Sequence, residues 1–132
     1  MENASSKTVL LIDDEENICE IVQVCLEMFG NWKATTARSG EEALAALTTD
    51  QPDVIILDVM MPNMDGLTVL KQLKETPQLA NIPVVLLTAR ADLTEPQKLL
   101  QLGVQGAIAK PFDPTKLADQ ISKIFNWEKV QV

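Results

Sequence analysis

Five side chains with chemical potential follow directly behind short apolar runs. Val9-Leu10-Leu11-Ile12 leads into Asp13-Asp14, and Val54-Ile55-Ile56-Leu57 into Asp58. Val84-Val85-Leu86-Leu87 leads into Thr88, and Ala107-Ile108-Ala109 into Lys110-Pro111. Three carboxylates drawn together repel one another, so either some hold protons or a cation neutralises them. The chain contains no histidine, and thiolates are not part of the set. An oxygen-only site suits a hard cation, and Mg²⁺ takes one or two carboxylates together with waters and phosphate oxygens. Such a cation recruits phosphoryl oxygens and offsets charge while a carboxylate attacks phosphorus. Lys110 by charge and Thr88 by its hydroxyl suit the remaining oxygens. The Met60 side chain is a poor Mg²⁺ ligand, but its backbone carbonyl is available.

Each residue alone has an ordinary reading. Asp13 or Asp14 caps a helix, Asp58 and Thr88 sit in turns, and Lys110 is solvated or paired. Capping does not readily explain such residues at the ends of four strands together.

The elements that must gather them are legible in outline. The apolar runs are rich in β-branched residues and too short for helices. They suit strands buried on both faces of a parallel sheet. Trp32-Lys33-Ala34-Thr35-Thr36 is more polar and suits an edge strand. Between them lie helical patterns. In the first, Ile18, Ile21, Val22, Cys25, Leu26 and Phe29 share a face, and Gly30 is the stop. The second opens on the capping box Ser39-Gly40-Glu41-Glu42 and runs to about Thr49. The third spans about Asp65 to Glu75 and ends at Thr76-Pro77. The fourth opens on Thr94-Glu95-Pro96-Gln97, read as a second capping box, and ends before Gly103. The fifth has Asp113 as its cap and Pro114 at its first position, with Leu117, Ile121, Ile124 and Phe125 on its apolar face. Five β-α units predict right-handed crossovers and an α/β, flavodoxin-like, doubly wound five-stranded parallel sheet of order 2-1-3-4-5 with five helices. In that order the carboxyl ends of strands 1 and 3 border the ligand crevice, which brings Asp13, Asp14 and Asp58 together.

Composition narrows the function classes. The 132 residues suit one domain, and a 46% hydrophobic content supports a core. A formal net charge of −8 disfavours nucleic acid and anionic membrane surfaces, which are bound through Lys and Arg. No stretch approaches the roughly 18 apolar residues of a membrane span, and Met1–Lys7 lacks a signal-peptide core, so a cytoplasmic location is expected. Cys19 and Cys25 fall in one helix about 9 Å apart along its axis, beyond the roughly 7 Å a disulfide spans. They read as helix-packing thiols.

The set Val9-Leu10-Leu11-Ile12-Asp13-Asp14, Asp58-Val59-Met60-Met61-Pro62-Asn63-Met64-Asp65-Gly66, Leu87-Thr88-Ala89 and Ala109-Lys110-Pro111-Phe112 resembles a response-regulator receiver domain of two-component signalling, of the stand-alone chemotaxis-regulator kind. The resemblance covers residues 8–126, with 1–7 and 127–132 as tails. It implies that Asp58 is the phosphoacceptor and that Asp14, Asp58 and the Met60 carbonyl contact Mg²⁺. Asp13 would act mainly through a water, Thr88 would bond the phosphoryl group and shift on activation, and Lys110 would pair with the phosphate or with Asp58. It implies a cis Lys110-Pro111 peptide and a histidine kinase or histidine phosphotransfer protein as donor. Output would be a phosphorylation-dependent contact with a downstream protein, through the face of the fourth helix, fifth strand and fifth helix. Beyond its own phosphorylation and dephosphorylation no enzyme activity is implied. One position departs from the family pattern: Ala107 stands where many receivers carry the Tyr or Phe of an aromatic switch.

Three rival readings remain. A haloacid-dehalogenase-type phosphatase wants a second Asp two residues after the nucleophile, where this chain has Met60. A flavin carrier wants a phosphate-cradling loop where this chain has Asp13-Asp14-Glu15-Glu16. A receiver-like binding module that never uses phosphate is the remaining alternative.

Overall fold

The apolar runs become strands because both of their faces find helices to bury them. In the computed structural model, which describes residues 7–61 and 65–127, the strands are β1 (Thr8–Ile12), β2 (Lys33–Ala37), β3 (Val54–Asp58), β4 (Val84–Thr88) and β5 (Gly106–Ala109). They form one parallel sheet in the order β2-β1-β3-β4-β5. Helices α1 (Glu16–Gly30), α2 (Gly40–Leu47), α3 (Gly66–Glu75), α4 (Pro96–Leu102) and α5 (Leu117–Phe125) alternate with the strands. This is the flavodoxin-like doubly wound architecture read from the sequence.

Strand alternation divides the core in two. Leu10, Ile12, Ile55, Leu57 and Leu86 pack with Val69, Leu70 and Leu73 of α3. Their neighbours Val9, Leu11, Ile56, Val85 and Leu87 pack with Val22 and Leu26 of α1 and Leu117 and Ile121 of α5. Truncating a fully buried leucine here costs about 2–5 kcal/mol, lost transfer energy plus the cavity left behind. The sheet is therefore a rigid base for whatever its carboxyl edge carries.

Helix ends follow the local chemistry with some corrections. Ser39 Oγ accepts from the Glu42 N–H at 3.0 Å, so Ser39 caps α2 as expected, while Glu42 Oε1 reaches one residue past the cap and accepts from the Arg38 N–H at 2.8 Å. The capping box expected at Thr94 does not form: Thr94 belongs to a 3₁₀ turn (Ala91–Thr94), its hydroxyl donates to the Ala91 carbonyl at 2.6 Å, and Glu95 precedes α4 without a side-chain cap. Asp113 accepts from the Thr115 N–H as expected, but Pro114–Lys116 is also a 3₁₀ turn and α5 begins only at Leu117.

The core face of α1 also differs from expectation. Cys19, Val22 and Leu26 are buried, whereas Ile21 and Phe29 are exposed, together with Val24 and Met28. Apolar residues ring more than half of this helix, so periodicity could not choose the stripe. The stop is Asn31 in the left-handed region, φ 57°, with Gly30 still inside the helix. Both thiols are free, and Cys19 is buried. Among the described residues no helix is long and apolar enough to cross a membrane. Most of the two expected tails, and Pro62-Asn63-Met64 of the quoted motif, lie outside the described residues.

Candidate functional site

β1 and β3 are hydrogen-bonded neighbours, with Ile12 in register with Leu57. One more residue along each strand brings Asp13 and Asp58 side by side. One carboxylate oxygen from each of Asp13, Asp14 and Asp58 lies within 4.8 Å of the others. Asp13 is 0% and Asp58 1% exposed. From the loop after β5, Lys110 reaches in. Its Nζ donates to Asp58 Oδ1 at 2.9 Å and lies 3.7 Å from Asp13 Oδ2. The Lys110 N–H donates to the Thr88 carbonyl at 2.9 Å, tying that loop to β4, and the Lys110-Pro111 peptide is cis, as expected.

The carboxylates are held in place by backbone. Asp13 Oδ1 accepts from the Glu15 N–H at 3.0 Å, so Asp13 braces the start of α1 without capping it. Among the described residues Asp13 Oδ2 is buried and accepts no hydrogen bond, with the Lys110 ammonium facing it from 3.7 Å. Burial pushes the Asp13 carboxyl from 3.8 up to about 6; the Glu15 N–H works against this, and the neighbouring Asp58 charge adds to it. Burial draws the Lys110 ammonium down, but its hydrogen bond to Asp58 and the charges of Asp58 and Asp13 outweigh that and hold it above 10.5. The cluster is thus short of positive charge: one lysine, paired with Asp58 and near Asp13, stands among three carboxylates.

Thr88 is 1% exposed at the end of β4, at the same edge of the sheet. Its Oγ1 accepts from the Arg90 N–H at 2.9 Å, so the hydroxyl is engaged within its own loop. Met60 is exposed, its N–H points at Asp58 Oδ1 over a long 3.4 Å, and Met61 is buried.

Two supporting residues, Gly66 and Cys19, were given no part in the site by the sequence. A Cβ on Gly66 would stand 2.2 Å from the Asp58 carbonyl oxygen and 2.7 Å from the Val59 Cα. Only glycine lets the start of α3 press this closely on the backbone of Asp58, and the Gly66 N–H donates to the Val59 carbonyl at 2.8 Å. The Cys19 thiol donates to the Asp13 carbonyl at 3.3 Å, and burial pushes its pKa up to about 11. Gly66 stood in the motif that carries the resemblance, at the start of the third helix; nothing local pointed to the Cys19 contact.

The response regulator receiver domain family matches residues 9–122. The chain belongs to that family. It is 39% identical over 123 residues to a probable transcriptional regulator, ycf27, of Cyanidium caldarium, covering 93% of this chain and 48% of that one. It is 37% identical to the alkaline phosphatase synthesis transcriptional regulatory protein PhoP of Bacillus subtilis, covering 95% and 51%. The receiver chain thus spans about half the length of these curated relatives. Among solved structures, the chemotaxis response regulator CheY4 of Vibrio cholerae superposes with a TM-score of 0.79 at 32% identity, covering 90% of this chain and 98% of that one. The receiver domain of a Francisella response regulator superposes at 0.77 and 30% identity, covering 92% and 98%. The receiver family is one of phosphoacceptor signalling domains, and the acidic cluster of Asp13, Asp14 and Asp58 stands where its metal site is expected.

Proposed function

We propose that this receiver accepts a phosphoryl group on Asp58 from a phosphohistidine of a histidine kinase or phosphotransfer protein, and signals through a phosphorylation-dependent protein contact. The observation that carries this reading is the Lys110 ammonium on Asp58 Oδ1 inside a three-carboxylate cluster. The lysine fixes one oxygen of the carboxylate and leaves the other to attack phosphorus as the histidine N–P bond breaks. Thr88 is positioned to turn its hydroxyl onto a phosphoryl oxygen.

Mg²⁺ fits the residues present. The unbonded, buried Asp13 Oδ2 and the surplus of carboxylate oxygens match a hard cation. Asp14, Asp58 and the Met60 carbonyl would hold it, with Asp13 acting through a water. When bound it offsets the charge that develops during phosphoryl transfer.

The donor must approach beside the start of α1, and the exposed stripe Ile21, Val24 and Met28 on that helix suits a helical partner. The acidic Glu16, Glu20 and Glu27 of the same helix favour a basic rim on it. The downstream target is assigned to the face of α4, β5 and α5.

Acetyl phosphate with Mg²⁺ should add one phosphoryl mass to the wild type and none to Asp58→Asn. Asp14→Ala should lose the metal-dependent labelling. Equal labelling of wild type and Asp58→Asn, or full labelling in a chelator, would overturn the assignment.

A further inference from the structure

Asp13 and Asp14 leave β1 on a short loop that ends at Glu15, before α1 begins at Glu16. The loop is pinned at several points. The Asp13 N–H donates to the Ala37 carbonyl at 3.0 Å, which ties it to β2, and Asp13 Oδ1 accepts from the Glu15 N–H at 3.0 Å. Cys19 supplies two more ties. Its backbone N–H donates to the Glu15 carbonyl at 3.1 Å, and its thiol donates to the Asp13 carbonyl at 3.3 Å. One residue of α1 therefore holds both ends of the loop.

The thiol contact falls on the peptide that joins Asp13 to Asp14. That unit is planar, so holding its carbonyl constrains ψ of Asp13 and φ of Asp14 together. Those angles set the directions in which both carboxylates leave the backbone. Cys19 is 4% exposed and packs in the core cluster that holds Val22 and Leu26, so its sulfur is placed by rigid surroundings. The carboxylates it serves converge: one oxygen from each of Asp13, Asp14 and Asp58 lies within 4.8 Å of the others. Among the described residues Asp13 Oδ2 is buried without a hydrogen bond, the state of an acceptor awaiting a cation or its water.

We infer that Cys19 is a positioning residue for the cation site: its thiol, bonded to the Asp13 carbonyl, holds the Asp13-Asp14 peptide in the orientation that turns both carboxylates towards Asp58. The inference rests on the Mg²⁺-dependent phosphoacceptor reading and adds to it a residue that touches neither metal nor phosphate. Partners standing behind metal ligands change metal affinity by about 10–100-fold. A thiol is a weak donor, so the effect here is smaller, about fivefold.

The test separates the donor from the volume it fills. Cys19→Ser keeps a donor, Cys19→Ala is close to serine in size and has none, and Cys19→Val fills the space and has none. Mg²⁺ affinity is read by titration calorimetry, and exchange of the Glu15 N–H by NMR in a chelator. Urea unfolding gives the stability of each variant separately. Cys19→Ser should bind Mg²⁺ within about twofold of the wild type, and Cys19→Ala and Cys19→Val about fivefold more weakly. Without metal, the Glu15 N–H should exchange faster in the alanine and valine variants than in the serine variant. A role confined to packing would follow volume instead, with valine nearest the wild type. Serine binding as weakly as alanine, or valine as tightly as the wild type, refutes the positioning role and leaves the metal reading standing. A wild type that binds no Mg²⁺ overturns both.

Discussion

Asp13→Asn should make the metal-free domain more stable, and by an amount that depends on pH. Asp13 is raised from 3.8 in the unfolded chain to about 6 in the fold, chiefly by burial. Its neutral form is therefore the one the fold prefers. The stability it contributes is present in full below about pH 3.8, falls as pH rises towards about 6, and is constant above that. Linkage puts the cost of ionising Asp13 at about 3 kcal/mol near pH ~8 and roughly half of that near pH ~5. Asparagine keeps an oxygen to accept from the Glu15 N–H and removes the charge, so it should recover most of that cost. The experiment is urea unfolding of wild type and Asp13→Asn in a chelator at the two pH values. Working at pH ~5 stays above the sequence pI of about 4.4 and its precipitation risk. A gain near pH ~8 about twice that near pH ~5 is expected. Added Mg²⁺ should stabilise the wild type and close much of the gap. No gain at pH ~8, or an equal gain at both pH values, would refute the claim that a buried, under-compensated carboxylate strains this site.

Gly66→Ala should destabilise by about 1–3 kcal/mol through overpacking against the Asp58 and Val59 backbone, and it should slow acetyl phosphate labelling, because what moves is the strand end bearing the nucleophile. Iodoacetamide should modify Cys25 in the native protein and leave Cys19 intact until unfolding, since Cys19 is buried and its thiol is pushed up to about 11; rapid native labelling of Cys19 would contradict its placement under Asp13. Ile21→Ser with Met28→Ser should change stability by no more than about 0.5 kcal/mol, as both residues are exposed. The same pair should slow phosphotransfer from a protein donor while leaving acetyl phosphate labelling unchanged.

The sequence by itself determined the strands, their burial and the residues at their ends. Runs such as Val54–Leu57 carry no polar residue, so both faces had to be covered, and five β-α units then leave few topologies. It also determined the charge imbalance of the cluster, which follows from residue types alone. The tertiary structure decided which α1 stripe meets the sheet, because apolar residues lie on more than one side of this helix and the packing of α1 buries Cys19 while leaving the more apolar Ile21 exposed. It decided that Thr94 joins a 3₁₀ turn, because burying Leu93 outweighs a capping box at α4. The raised pKa of Asp13 and the reach of Lys110 to Asp58 were likewise beyond local reading. Both depend on distances between residues far apart in the chain, and those distances exist only once β1, β3 and β5 share one sheet.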